Sequence, residues 1–408
     1  MNHNDVITTQ VGGRHRYAVP LAFATENRLA AFYTDVCADL GLGHTLRPLT
    51  HFPVVGKRLT RLARRTLPDD IISYSTAFLS LLDMPLLFRP TRSEAERYVR
   101  EQEVQNRLGT RMISAGFGDA KFLYSMLGEF SPFVVGARQA GLKVLSEIYI
   151  ALSAHEIVKQ ERFRFPDWES PVPDFWTLNG TGHPSSVLLS ETDLFVCPSP
   201  FVQQDLVTRW NITQDHTAVV PYIARSYERP SRETCRKRIL FVGTAALRKG
   251  IHYLAQAATE LRQQDPDFEV RVIGEVSKQV RSHRDSRNLH FMGTMSWREA
   301  QQELSAADVL VLPSLAEGSA SVTYEALSLG IPQVVTASSG SVISSGVEGF
   351  VIPERNAAAV VDAIQLITKD RNRRLSMSDA SFEKAKDYSF DKFKARLVGL
   401  LDRWSVAQ

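Results

Sequence analysis

The chain has 408 residues, 44% of them hydrophobic and 23% charged, with a net charge of +3. That length allows two domains with separate cores, and so small a basic excess gives no electrostatic footprint for nucleic acid. No run approaches the roughly 20 apolar residues of a membrane span. The start "MNHNDVITTQVGG" lacks the pattern of a secretory signal, and Cys37, Cys197 and Cys235 are too few and too scattered for a disulfide framework, which suits a cytoplasmic location.

Along the chain, strand-like runs alternate with helical stretches, the pattern of parallel α/β sheets. The first half predicts strands near 6–10, 30–36, 71–75, 111–115, 143–149, 193–198 and 217–221. The first of these, "VITTQ", is followed by Gly12 and Gly13 and then by the stretch "RHRYAVPLAFATEN", which predicts a helix. A glycine pair there lets backbone approach a ligand closely, although it would serve a plain tight turn equally well. A polar, charged stretch without an apolar face, residues 224–238, predicts an interdomain linker.

The second half predicts strands at 238–243, 268–274, 289–293, 308–314, 331–337 and 349–353. After the first comes "GTAALRKG", which places Arg248 and Lys249 at a helix start, where an anion would meet positive charge and backbone N–H groups. After the fourth, "EGSAS" reads as a loop and "VTYEALSLG" as a helix ending at Gly330 with Pro332 beyond. Glu317 and Glu325, with seven residues between them, therefore bracket a strand-to-helix turn, the place where ligands sit in such sheets. The tail, residues 388–404, has helical periodicity and an apolar face that needs covering. The expected architecture is α/β, two Rossmann-like doubly wound domains facing across a cleft: residues 1–223, a linker 224–238, residues 239–387, and a terminal helix over 388–408 packing back toward the first domain.

Taken together, "FVGTAALRKG", "VIGE", "FMGTM", "PSLAEGSASVTYEALSLGIPQVV", "SSG" and "GVEGFVIP" resemble, in order, the second domain of the family 4 glycosyltransferases, retaining enzymes of the GT-B fold that use nucleotide sugars. "ETDLFVCPSPFVQQDLV" and the Gly-Gly loop resemble the first domain more loosely, and roughly residues 45–180 match no motif. The resemblance implies that Glu325 accepts hydrogen bonds from the ribose and Glu317 from the donor sugar. Lys249 and Arg248 would neutralise the leaving diphosphate, with Gly243 and Thr244 beside them, and Gly12 and Gly13 would close on it from the other domain. The backbone of Gly318, Ser319 and Ala320 would reach the sugar or diphosphate, and Thr294 and Met295 would line the base pocket. No cofactor and no metal are expected.

Some positions depart from the family. Thr244 stands where many members carry arginine, "EGSA" replaces the common "EGFG", and Glu147 fills the place of a sugar-facing histidine, with His155 further along in the next predicted helix. "DPD" at 265–267 has the Asp-x-Asp form of a metal motif, but it precedes a strand and so lies at the wrong edge of the sheet. Residues 54–65 form a basic stretch with Leu59, Leu62 and Ala63 interleaved, which fits an amphipathic helix on anionic lipid or an acidic acceptor as well as it fits a solvated helix. The reading implied is transfer of a sugar to a glycan or lipid-linked acceptor in surface polysaccharide or glycoconjugate synthesis. A sugar-nucleotide epimerase on the same fold, or a catalytically silent binding protein, are the alternatives.

Overall fold

The computed structural model describes residues 4–51, 65–171, 184–228 and 235–406. Most of the basic stretch 54–65 and the centre of the linker lie outside the described residues. No helix among the described residues is long and apolar enough to cross a membrane.

Two parallel sheets organise the chain. The first has seven strands: β1 (Val6–Gln10), β2 (Leu29–Thr34), β3 (Ser75–Ala77), β4 (Phe122–Met126), β5 (Lys143–Glu147), β6 (Leu194–Cys197) and β7 (Thr217–Val219), in the order β3-β2-β1-β4-β5-β6-β7. The second has six: β8 (Arg238–Val242), β9 (Glu269–Ile273), β10 (Leu289–Gly293), β11 (Val309–Leu312), β12 (Gln333–Thr336) and β13 (Gly349–Ile352), in the order β10-β9-β8-β11-β12-β13. In each the strand order reverses beside the first strand, at β1/β4 and at β8/β11. A crevice opens there at the carboxyl ends of the strands, where doubly wound sheets hold ligands. Helices cover both faces, so central strands are buried along their whole length, as in β1, β4, β11 and β12.

Every predicted strand of the second half is present, and the first half needs three corrections. Residues 111–115 are the last turn of a helix, Glu94–Ala115, whose Val104, Leu108 and Met112 recur every fourth residue and are buried. The strand at that place in the sheet is instead β4. Residues 69–72 form a short helix, opened by Pro68 with Asp69 and Asp70 in its first turn, and β3 starts only at Ser75. The helix after Gly13 starts only at Ala18, because His15, Arg16 and Tyr17 lie in the left-handed region with φ of 47°, 51° and 63°.

The terminal helix Phe390–Val406 lies on the first domain. Its Phe393, Leu397 and Leu401, four residues apart, join the buried cluster of Val6, Phe23 and Leu29. Arg28 bonds Asp402 at 2.6 Å and Lys394 bonds Glu26 at 2.9 Å, so the helix is tied by charge as well as apolar burial.

Candidate active site

The site is built on two turns of the second sheet that lie side by side because β8 and β11 pair. After β8 the chain makes a tight turn, Leu247–Lys249, and enters the helix Ile251–Gln264 through Gly250 at φ +71°. A Cβ at Gly250 would overlap the carbonyl oxygen of Pro313, so the turn can nest against the β11 loop only with glycine there. That loop is anchored in return: the Leu315 amide donates to the Arg248 carbonyl at 2.8 Å, and the Glu317 amide donates to Ser338 O at 3.0 Å.

Both cations of the turn converge on one oxygen. Lys249 Nζ stands 2.7 Å and Arg248 Nη1 2.8 Å from Glu317 Oε1, and Arg248 Nη1 also donates to Ala316 O at 2.8 Å. Lys249 and Glu317 are each 12% exposed. Burial holds the lysine ammonium below the usual amine range, and the Glu317 charge pulls the other way. Gly243, at φ +143°, leaves room for the Lys249 stem, since a Cβ would press on its Cε and Cδ. Thr244 and Thr294 line a neighbouring cavity of about 600 Å³ with Gly274, Glu275, Ser277 and Arg281, whereas Met295 packs against the core.

In the next loop the Ala320 amide donates to Ser339 O at 3.0 Å, and Ser319 Oγ donates to Gly340 O at 2.7 Å. The Gly318 and Ser319 amides donate to none of the described residues. Gly318 is a close contact between the two domains: a Cβ would overlap the Tyr149 carbonyl oxygen, and Ser199 Oγ donates to Gly318 O at 2.5 Å.

Glu325 lies one turn into the helix Ser321–Ser328 and is partly buried. Burial raises its carboxyl above the usual range, against the pull of Arg225 and Arg16. Those two guanidiniums also stand 5.7 Å and 5.4 Å from the Trp297 ring centroid, and the ring is 46% exposed. Arg16 comes from the first domain, on the left-handed stretch after Gly13. Arg16 and Arg225 were invisible to sequence reasoning because Glu325 is remote from both in the chain, and Trp297 because the two guanidiniums it meets are remote from it.

On the first-domain side, the Gly12 amide is committed to Asp35 Oδ1 at 3.0 Å, and the Gly13 amide donates to none of the described residues. Glu129, just beyond β4, accepts from the Val11 amide at 2.9 Å, Arg14 Nη2 at 3.2 Å and Tyr149 OH at 3.3 Å. Burial pushes its carboxyl up to about 7. Arg14 lies 3.7 Å over the Tyr149 ring, so the Gly12-Gly13 loop is linked through Arg14 and Tyr149 to Gly318.

Other candidates fall elsewhere. Glu147 is fully enclosed, accepting from Tyr124 OH at 2.8 Å and Tyr222 OH at 3.0 Å, which holds strand ends together. His155 sits on the helix Ala154–Arg164 and lines a separate cavity of about 890 Å³. Asp265 and Asp267 pair with Lys237 at 2.6 and 3.4 Å, at the edge opposite the site. Among the described residues no three His, Cys, Asp or Glu side chains gather as metal ligands.

Two doubly wound domains closing on a cleft at their strand carboxyl ends define the GT-B class. Residues 226–384 match the family described as glycosyl transferases group 1. D-inositol 3-phosphate glycosyltransferase of Corynebacterium aurimucosum is 27% identical over 231 residues, covering 50% of this chain and 55% of that protein. Glycogen synthase of Mycobacterium tuberculosis is 30% identical over 158 residues, 37% of each chain. The chain thus spans about half the length, or less, of these curated relatives. Among solved structures, sucrose-phosphate synthase of Thermosynechococcus elongatus superposes with a TM-score of 0.67 at 15% identity, covering 99% of this chain and 100% of that one. An Anabaena protein crystallised with UDP superposes at 0.62 and 13% identity, covering 98% and 100%.

Proposed function

We propose that the protein transfers a sugar from a nucleotide-diphosphate sugar to a glycan or lipid-linked acceptor, with retention of anomeric configuration, and needs no metal. The observation that carries this reading is the convergence of Lys249 and Arg248 on Glu317 Oε1 at the carboxyl end of the second sheet. Two cations held on one buried carboxylate are a ready receiver for a diphosphate. As the glycosidic bond breaks, negative charge grows on the leaving group, and cations already fixed in a low-dielectric cleft stabilise it without reorganising.

Glu317, relieved of part of its cation load by the diphosphate, turns its free lone pairs to the donor sugar. The Gly318 and Ser319 amides, which donate to none of the described residues, suit the sugar or diphosphate, and Gly13 suits the same group from the opposite side. Glu325 holds the ribose, and the cavity beside Thr244 and Thr294 takes the base. The Anabaena structure, named as a complex with UDP, supports a nucleotide in this cleft. Retention is taken from the family resemblance: the acceptor attacks on the face the diphosphate leaves, and its proton passes to a leaving phosphate oxygen.

Incubation with a panel of nucleotide sugars, with and without a lipid extract, tests the reading. Slow donor hydrolysis or labelling of the extract is expected. Interconversion of donors would instead make the protein an epimerase, and neither reaction a binding protein.

A further inference from the structure

The segment 154–171 is joined to β5 and β6 of the first sheet, yet it packs on the second domain. Ala154 and Ile157 are buried with Tyr253, Leu315 and Ala316, and Trp168 lies in the core of the second domain. Two of its carboxylates grip the chain on either side of the basic turn. Before it, Glu169 Oε1 accepts the Leu247 amide at 2.6 Å, while its other oxygen pairs with Arg162 Nη2 at 3.0 Å. After it, the fully buried Glu161 accepts from Tyr253 OH at 2.5 Å, from Arg355 Nε at 2.9 Å, and meets His252 Nε2 at 3.0 Å. Only Arg248, Lys249, Gly250 and Ile251 lie between the two attachment points.

We propose that Glu169 and Glu161 are positioning residues for the proposed diphosphate site, holding the Arg248-Lys249 turn from both ends so that its cations face Glu317 and the cleft. The carboxylate of Glu169 accepting the Leu247 amide is a charge-assisted bond, roughly twice as strong as a neutral one, and Glu161, bonded to the side chains of His252 and Tyr253 just past the turn, supplies the second anchor. Neither carboxylate needs to touch the ligand. Because both hang on the first domain's chain, the basic turn of the second domain is set by a segment of the first.

The inference rests on the diphosphate lying at this turn, and the test separates the two. Calorimetric titration of the full chain with UDP and UMP, and with GDP and GMP, reads the contribution of the second phosphate alone. Glu169→Ala should lower affinity for the diphosphate about tenfold, the scale of one lost bond to a charged group, and leave the monophosphate within about twofold. Glu169→Gln keeps an oxygen to accept the Leu247 amide and should restore most of the loss. Glu161→Gln, which weakens the Arg355 contact, should act in the same direction, and Glu169→Ala carries the test if that variant fails to fold. Equal losses for both nucleotides, or none in the diphosphate, would overturn the positioning role. If Lys249→Ala left the diphosphate preference intact, or the unmodified protein showed none, the donor site itself would fall and this inference with it.

Discussion

Glu317→Gln removes the one anion shared by two cations and keeps the side-chain oxygen. Lys249 Nζ at 2.7 Å and Arg248 Nη1 at 2.8 Å would then face each other across a neutral amide. Stripping a partner from a fully buried ion pair costs about 3–5 kcal/mol. Arg248 is 29% exposed and the glutamine still accepts a hydrogen bond, so about 2 kcal/mol is the better figure here. For a domain of this size that corresponds to a fall of about 4–8 °C in Tm. A nucleoside diphosphate should supply the missing charge, so the same scan with saturating UDP or GDP, whichever binds, should show the gap shrinking by at least half. Thermal scans of both proteins, free and bound, are the assay. An unchanged Tm, or a gap that ligand leaves intact, would refute the idea that Glu317 serves as the resident counter-ion of a diphosphate site.

Other outcomes follow from neighbouring geometry. Gly318→Ala should push the domains apart at Tyr149 and lower turnover at least tenfold, since the added Cβ has no space; steady-state kinetics beside an unchanged far-ultraviolet spectrum would show it. Burial, reinforced by Arg14 and Arg225, holds the His15 imidazole down at about 4, from the usual 6.5. Between those values the unfolded chain binds a proton that the folded one does not, so stability should fall as pH drops from 6.5 to 4, by roughly 3 kcal/mol. His15→Phe, which keeps a ring against Tyr222, should flatten that limb in denaturant titrations. Turnover should survive EDTA; its loss on chelation and recovery with Mn²⁺ would require the diphosphate site to be redrawn.

What could be read from sequence divides by the range of the interactions involved. The strand-turn-helix units of the second domain carry their signals within about 15 residues, and both the β8 turn and the β11 loop stand where those signals place them. β4 escaped because a central strand with both faces covered shows no alternation, while the helix ahead of it ends in the apolar residues Met112 and Ile113. The left-handed run at His15, Arg16 and Tyr17 has no glycine to announce it, and three such residues together imply strain held by tertiary contacts such as His15 on Tyr222 at 3.7 Å. Glu147 stands where the family resemblance puts a sugar-facing histidine, yet it is enclosed by two tyrosines. Its partners Tyr124 and Tyr222 lie 23 and 75 residues away, and pairings of that range leave no local mark. Glu161 and Glu169 were hidden for the same reason.

The central claim is that a diphosphate leaves against the Arg248-Lys249 turn. Its most direct test is the rate of nucleoside diphosphate release from the accepted sugar donor, compared between the unmodified protein and Lys249→Ala at saturating donor. Loss of one preorganised cation in a water-poor cleft should lower that rate about a hundredfold, or about 3 kcal/mol, with donor affinity changed much less. Equal rates in the two proteins would contradict the account.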